Sequence, residues 1–291
     1  MSTGMLTIKN KELQIDIVNP ANLDDKHFFS RYSYCGYIKQ ISHLATGRQV
    51  LDMPFTPFAQ YHGEGFPEEF EMPINYDSVK KGGDFIKIGV GILKRGSHGR
   101  YSNEGNHPVQ YMAPVSVKEL PNGLLFSQGI TVGDYGYFYE KKVRMEKGSS
   151  FSISHSIKNS GRATWKSLWY SHAFLVLGGH KKGLKFFNTP NCHETKRNRN
   201  LVETNGAYQW NGIFGKTGFC VNFSVKPGLP NYHKVIDADN KFSFEAHGDY
   251  KYQELQLYVN KRIFSPEPKL TFELKPDASI NWSTLYSIKR L

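Results

Sequence analysis

The sequence has only three cysteines among its 291 residues, and they lie far apart along the chain. Cys35, Cys192 and Cys220 form no CxxC pair, and an odd number of thiols cannot all pair with one another. A framework of disulfide bonds is therefore not expected, and the fold must be held by burial of side chains instead.

The histidines lack the spacing of a zinc site. His98 and His107 share one predicted loop and His193 lies in another, but none belongs to an HxxxH or HExxH pattern. Phosphate-binding and nucleophile motifs are missing too, since Gly89-Val-Gly91 falls inside a predicted strand and no Gly-x-Ser-x-Gly elbow occurs. We expect neither a metal ion nor a cofactor.

Long apolar runs are also absent. No stretch of about 18 apolar residues occurs, and the N-terminus lacks the apolar segment of a signal peptide. The sequence therefore predicts no membrane partner and a cytoplasmic location, with a periplasmic location left open if a signal peptide has been removed.

Positive charge is in excess but is not concentrated in one arm. Lysine and arginine number 37 against 26 aspartates and glutamates, a net charge of +11. The densest group, residues 196–199, is interpreted as an exposed loop or as a basic rim around an anionic ligand. Aromatic residues alternate with basic ones from Tyr137, but a sandwich core explains that alternation better than stacking on bases. We expect no nucleic-acid partner.

Aromatic residues and alternating patterns dominate what is present. Twenty phenylalanines and 17 tyrosines accompany only six methionines, and apolar residues recur at every second position in more than a dozen segments. A Pro121-Asn122-Gly123 turn joins two such segments as a hairpin. The sequence predicts an all-β fold of antiparallel two-layer sheets, with residues 1–291 as a single domain because no linker divides them.

Two residues attract attention as acid–base candidates. His172 ends an aromatic segment, where a buried core histidine is the more common interpretation of a lone residue. Glu267 lies between Pro266 and Pro268, which stiffen the backbone that carries its carboxylate. An ordinary loop is built in the same way, so neither residue identifies a site by itself.

Together and in this order, these features resemble the galactose mutarotase-like (aldose 1-epimerase) superfamily. The similarity covers most of the chain and is strongest from about residue 135 onward. Its middle part is closer to a bacterial branch of that superfamily than to the galactose enzymes. The segments that carry it are Asn159-Ser-Gly161, Tyr170-Ser-His172-Ala-Phe174, Ser265-Pro-Glu267-Pro268 and the closing strand around Trp282.

The resemblance implies a β-supersandwich whose concave sheet binds a sugar. It implies that Glu267 removes the proton of the anomeric hydroxyl while His172 donates one to the ring oxygen, so that the ring opens and recloses as the other anomer. Unperturbed pKa values of about 6.5 for imidazole and about 4.3 for glutamate suit these roles after modest burial. The expected partner is a small sugar or short glycan, possibly anionic, bound by a monomer or homodimer.

Further substrate-binding residues follow from the same resemblance. His62 with Gly63 partly matches the N-terminal site pattern of the superfamily, but the arginine of that pattern is missing. Lys87 could replace it, or could simply face solvent. Glu69 is either a ligand for sugar hydroxyls or an ion-pair partner in an ordered loop. The remaining candidates are Tyr139, Tyr170 and Phe174, with Asp237 and Asp239 as candidates by position only.

Two other functions share this scaffold. One is a non-catalytic carbohydrate-binding protein, which would keep sugar affinity without turnover. The other is a polysaccharide lyase-like activity, which needs a tyrosine or histidine base beside a group that neutralises a uronate carboxylate.

Overall fold

The computed structural model describes residues 4–22, 30–53, 63–96, 99–103, 105, 107–176, 184–188, 192–196, 198, 201–210, 218–226, 228–229, 231–239 and 241–291, without the side chains of residues 193 and 210. Over these ranges the chain forms 23 strands and no α-helix. Three short 3-10 turns occur at Pro20–Asn22, Leu44–Thr46 and Tyr76–Ser78.

The strands follow one another along the whole chain. They are β1 (Met5–Lys9), β2 (Leu13–Val18), β3 (Ile38–His43), β4 (Arg48–Gln49), β5 (Glu68–Phe70), β6 (Asp84–Lys87), β7 (Gly91–Lys94), β8 (Val109–Met112), β9 (Val115–Leu120), β10 (Gly123–Val132), β11 (Tyr135–Met145), β12 (Ser150–Lys158), β13 (Trp165–Ser171), β14 (Leu184–Asn188), β15 (Cys192–Glu194), β16 (Leu201–Thr204), β17 (Ala207–Trp210), β18 (Phe219–Val225), β19 (Tyr232–Asp237), β20 (Phe242–Gly248), β21 (Glu254–Val259), β22 (Phe264–Leu274) and β23 (Ser279–Arg290).

These strands pair into four antiparallel sheets. The largest has ten strands in the order β16-β17-β14-β19-β20-β23-β12-β11-β10-β9, and the second has six in the order β15-β18-β21-β22-β13-β5. A four-stranded sheet (β1-β2-β3-β4) and a three-stranded sheet (β6-β7-β8) complete the set. The predicted all-β antiparallel architecture is confirmed, and so is the hairpin, in which Leu120 pairs with Gly123.

The ten-stranded and six-stranded sheets pack against each other through aromatic side chains. The ring of Trp169 in β13 lies 5.2 Å from that of Trp282 in β23, and Phe272 in β22 lies 5.8 Å from the same tryptophan. Each such burial stabilises the fold by about 2 kcal/mol or more. The main buried cluster continues into the four-stranded sheet through Leu13 and Ile15. That residues 1–291 form one domain stays a prediction.

Alternation along the strands decides which side chains point away from this core. In β22, Leu270 and Phe272 point to the ten-stranded sheet, so Glu267 and Lys269 point to the opposite face. In β13 the same rule sends Trp169 inward and leaves Tyr170 on that opposite face. We call it the outer face of the six-stranded sheet, and the candidate site lies there.

The long segment from Asp52 to Gly83, rich in proline and glycine, contains an ordered edge strand. Residues 54–62 lie outside the described part, but β5 pairs with β13 and extends the six-stranded sheet. The three-stranded sheet follows and has its own small core, which includes Tyr34, Tyr76 and Phe85. This sheet carries Lys87 towards the outer face.

Candidate active site

The register between β13 and β22 brings His172 and Glu267 together. Tyr170 pairs with Lys269 across the two antiparallel strands. Two residues further along β13 therefore correspond to two residues back along β22, which places His172 beside Glu267. The His172 Nε2 atom lies 3.2 Å from Glu267 Oε1. Two residues separated by 95 positions in the sequence thus become neighbours.

Both side chains of this pair are almost completely buried, 6% and 4% exposed. Burial raises the pKa of Glu267 to about 8, although Arg31 and Lys269 oppose that rise. Burial, followed by the charge of Arg31, lowers the pKa of His172 well below its ordinary value. At neutral pH the pair is therefore a carboxylic acid beside a neutral imidazole.

Ser265 contacts the other nitrogen of the imidazole. Its Oγ lies 2.7 Å from His172 Nδ1, and its side chain is fully buried. Ser265 is two residues before Glu267 in β22, so alternation places both on the outer face. A neutral imidazole donates from one nitrogen and accepts at the other, so the Ser265 contact helps to decide which tautomer faces Glu267.

Aromatic rings surround the imidazole. The ring centroid of Phe174 lies 4.1 Å from that of His172, and those of Tyr170 and Tyr258 each lie 6.1 Å away. Tyr32 completes the group at 6.2 Å. Pockets that bind small molecules are lined in this way, by apolar rings with few polar groups among them.

A second ionic group lies next to the pair on the same outer face. Glu69 of β5 accepts a hydrogen bond from Arg31 Nε at 2.7 Å and another from the hydroxyl of Tyr170 at 2.5 Å. Its other oxygen lies 3.2 Å from Lys87 Nζ, which also donates to the hydroxyl of Tyr101 at 2.9 Å. The site therefore has one carboxylate held by two cations.

Charge in this group is fixed at neutral pH. Burial by itself would raise the pKa of Glu69, but Lys87 and Arg31 together lower it to about 2. Burial would also lower the pKa of Lys87, but Tyr101 and Glu69 raise it instead. Glu69 thus stays ionised, whereas Glu267 in the neighbouring pair does not.

Arg31 is the residue that sequence reasoning missed. Arg31 lies outside the strands, seven residues before β3 begins at Ile38. The guanidinium of Arg31 reaches the outer face and donates from its terminal nitrogen to Tyr170 at 3.0 Å. Its only sequence signal is a basic residue that opens an aromatic segment. An arginine from another part of the chain therefore lies beside Tyr170 and Glu69 on the outer face.

Lys87 does not face solvent, which was the alternative interpretation. Its side chain is fully buried against Glu69 and Tyr101. In the structure, Lys87 therefore contacts the Glu69 carboxylate. That Lys87 serves as a positive group near a bound sugar stays a prediction.

Tyr139 lies in a different buried cluster, inside the sandwich. Its hydroxyl is 2.9 Å from His155 Nδ1, and His155 Nε2 is 3.4 Å from Glu68. Lys141 Nζ lies 2.9 Å from the same carboxylate. The structure brings Tyr170, Phe174, Glu69 and Lys87 to the His172 site but places Tyr139 on the core side of the six-stranded sheet.

The other candidates by position lie elsewhere. Asp237 belongs to β19 of the ten-stranded sheet, where it is buried and 3.4 Å from Arg48. Lys196, in the predicted basic loop, is exposed. His62 and His98 lie outside the described residues.

Two general features of the described residues bear on function. Within the ranges given above, no three or more histidine, cysteine or acidic side chains are grouped so that they could hold a metal ion. The same part of the chain contains no helix of the length and apolarity needed to cross a membrane.

Comparison with solved structures identifies the fold. A galactose mutarotase-like protein from Lactobacillus casei has a TM-score of 0.64 at 12% identity, over 98% of this chain and 100% of that chain. The galactose 1-epimerase of Lactobacillus acidophilus has a TM-score of 0.58 at 10% identity, over 98% and 94%. The GalM/aldose epimerase homologue from C. elegans has a TM-score of 0.59 at 11% identity, over 100% of both chains.

Sequence comparison adds no closer relative. No protein-family model matches the sequence, and no curated protein matches it. The resemblance stated from the sequence is thus confirmed at the level of the fold, which is the galactose mutarotase-like fold.

Proposed function

We propose that this protein interconverts the anomers of a sugar by acid–base ring opening at His172 and Glu267. The observation that carries the proposal is the 3.2 Å approach of His172 Nε2 to Glu267 Oε1 in a buried, aromatic-lined site. Apart from this contact with His172, Glu267 Oε1 makes no hydrogen bond to any described residue. A buried acceptor without such a bond is uncommon and suits a group that waits for a substrate hydroxyl.

The chemistry requires two proton transfers around one carbon. The anomeric oxygen and the ring oxygen of a cyclic sugar are both bonded to C1, so two adjacent protein groups can reach both. The Glu267 carboxylate takes the proton of the anomeric hydroxyl, and the His172 imidazolium donates its Nε2 proton to the ring oxygen. The bond from C1 to the ring oxygen breaks, and an aldehyde forms at C1.

Reclosure reverses these steps. The aldehyde turns about its bond to C2 and presents its other face to the ring hydroxyl. His172 takes the hydroxyl proton back while Glu267 returns one to the new anomeric oxygen. The pair ends with the protons it began with, so no outside reactant is needed.

The resting and reactive forms of the pair hold the same number of protons. At neutral pH the shared proton belongs to Glu267, because burial disfavours both charges. Transfer of that proton across the 3.2 Å contact converts the neutral pair into the carboxylate and imidazolium that ring opening uses. The reaction therefore needs a pair with one shared proton, neither two nor none.

Neighbouring groups would bind and orient the sugar. Arg31 presents its guanidinium beside Tyr170, while Phe174 and Tyr258 offer ring faces around the imidazole. Two cations and one carboxylate give the Arg31, Lys87 and Glu69 group a net positive charge, which favours a neutral or anionic sugar over a cationic one. The oligomeric state and the cytoplasmic location stay predictions.

The first experiment is anomer interconversion across a panel of sugars, followed by polarimetry or saturation-transfer NMR. We expect the wild-type protein to accelerate at least one sugar and His172→Ala or Glu267→Gln to lose about 100-fold or more of that rate. Glu273→Gln is the matched control, because Glu273 lies on the same face of β22, exposed and paired with Lys166.

Each other outcome points to another function. If no sugar is accelerated but one binds equally to wild-type protein and Glu267→Gln, the proposal fails in favour of a carbohydrate-binding protein. New ultraviolet absorbance from unsaturated uronates on incubation with polyuronides would overturn it in favour of a lyase.

A further inference from the structure

The outer face of the six-stranded sheet is closed at one end. At the β5 edge, Glu69 contacts Lys87 of the three-stranded sheet and Arg31, and Tyr101, from the segment between β7 and β8, contacts Lys87. The side chains of Glu69 and Lys87 are fully buried there. A sugar bound at His172 therefore cannot extend past this edge without breaking an ion cluster.

In the opposite direction the same face continues as a row of polar side chains. Gln256 of β21 pairs directly with Glu267 of β22, and Asn222 of β18 pairs directly with Gln256. Direct partners lie on the same face of a sheet. With strands about 4.8 Å apart, the row reaches about 10 Å beyond Glu267, which is room for one further sugar ring.

Burial decreases steadily along this direction. Glu267 is buried, Gln256 is half-buried and Asn222 is exposed. The adjacent row behaves in the same way, since Tyr258 pairs with buried Ser265 and is itself only half-buried. The face is therefore closed at β5 and opens towards β18.

The open row carries the groups that recognise sugar hydroxyls. Gln256 Nε2 donates to Asn222 Oδ1 at 2.8 Å, so the two amides hold each other in place. Within the described residues, Gln256 Oε1 and Asn222 Nδ2 have no partner of their own. Gln256 Oε1 can therefore accept a hydrogen bond from one sugar hydroxyl, and Asn222 Nδ2 can donate one to a neighbouring hydroxyl. Both groups are uncharged. Tyr258, in the adjacent row, adds a ring whose centroid lies 6.1 Å from that of His172.

We propose that Gln256 and Asn222 form a second sugar subsite and that the substrate is a disaccharide or longer glycan. Its reducing-end sugar reacts at His172 and Glu267, and the next sugar lies over β21 and β18. This inference rests on the proposed function, because it extends the same site, and it names the substrate class that the site takes.

The test compares sugars of different length at concentrations below saturation. Initial rates of anomer interconversion are measured by saturation-transfer NMR for glucose, galactose, maltose, cellobiose and lactose. We expect kcat/KM for at least one disaccharide to exceed that of its reducing-end monosaccharide about tenfold, as one or two additional hydrogen bonds supply. In Asn222→Ala and Gln256→Ala that ratio should fall towards one.

Thr271→Ala is the matched control, because Thr271 is an exposed polar residue on the same face of β22, four positions from Glu267. Its disaccharide preference should equal that of the wild-type protein. A wild-type protein without any disaccharide preference, or a preference that survives in the Asn222→Ala, Gln256→Ala double variant, overturns the subsite.

A binding experiment separates failure of the subsite from failure of the proposed function. Titration calorimetry with the same disaccharides is carried out on Glu267→Gln, with and without Asn222→Ala. Disaccharide binding that weakens on the Asn222 change, without turnover by the wild-type protein, supports the subsite and rejects the epimerase. Turnover of monosaccharides with no added affinity for disaccharides rejects the subsite alone.

Discussion

Glu68 and Glu69 are consecutive residues of β5, yet their carboxylates lie on opposite sides of the six-stranded sheet. Glu68 faces the core, 2.9 Å from Lys141 of the ten-stranded sheet, and Glu69 faces the outer side, 3.2 Å from Lys87. Alternation along a strand produces this arrangement. One short strand therefore contacts both the buried core and the candidate site.

Glu69→Gln should destabilise the protein more than Glu68→Gln. Lys87 and Arg31 lower the pKa of Glu69 to about 2, so its ionised form is favoured, and a neutral amide leaves buried Lys87 and half-buried Arg31 without their anion. The expected loss is about 3 kcal/mol in the free energy of unfolding. Glu68→Gln leaves only one buried cation, Lys141, without its anion, and burial raises the pKa of Glu68, so a neutral amide there also relieves part of a penalty. Urea unfolding measures both, and an equal or larger loss for Glu68→Gln would contradict the prediction.

Activity should fall as pH rises through about 8. Above that pKa Glu267 loses the shared proton, and His172, with its lowered pKa, does not take up another. The pair then has no proton to give to the ring oxygen. A pH profile of kcat/KM should show this alkaline limb. A rate that stays constant up to pH 10 would exclude the shared proton as the acid.

Between pH 4.5 and about pH 8, the free energy of unfolding should fall as pH rises because of Glu267. Its pKa is about 8 in the folded protein against an ordinary value of 4.5, so the folded state holds a proton that the unfolded state has lost between those values. The free energy of unfolding therefore decreases with rising pH there, by about 1.4 kcal/mol per pH unit. Outside that window the contribution of Glu267 does not change with pH.

Glu267→Gln isolates that contribution, since every other titrating group is retained. The difference in unfolding free energy between wild-type protein and Glu267→Gln should shift in favour of the variant from pH 5 to pH 8. A difference that is independent of pH would show that Glu267 keeps its ordinary pKa.

Ser265→Ala should change the tautomer of His172. The Ser265 hydroxyl is 2.7 Å from Nδ1, so its loss frees that nitrogen and disturbs the proton balance at Nε2. We expect altered 15N chemical shifts for the imidazole and a fall of about tenfold in kcat, with a smaller change in KM.

Ser167→Ala is the control for the loss of a buried hydroxyl. Ser167 also lies in the six-stranded sheet, but it faces the core and donates to the carbonyl of Met72 at 2.8 Å. In Ser167→Ala, the 15N chemical shifts of the His172 imidazole should match those of the wild-type protein. If the His172 shifts in Ser265→Ala are the same as those in Ser167→Ala, Ser265 does not position the imidazole.

The sequence partly predicted which face of a sheet each residue occupies and which residues could transfer protons. Alternation around Trp169 and Tyr170 is a local property, so it predicts strands and opposite faces without knowledge of the partners. The Pro266-Glu267-Pro268 segment likewise marks a held carboxylate. Arg31 and the burial of Lys87 were not readable, because each depends on a partner that lies far away in the chain.

The sequence by itself determined an all-β chain and offered the residue types of the proposed acid–base pair, since strand alternation and side-chain chemistry are local. Tertiary structure decided the rest. A shift of one residue in the pairing of β13 with β22 would turn Glu267 to the core and separate it from His172. Long-range pairing also supplied Arg31 to the site and set Gln256 beside Glu267. Such register depends on contacts between distant segments, which no local pattern specifies.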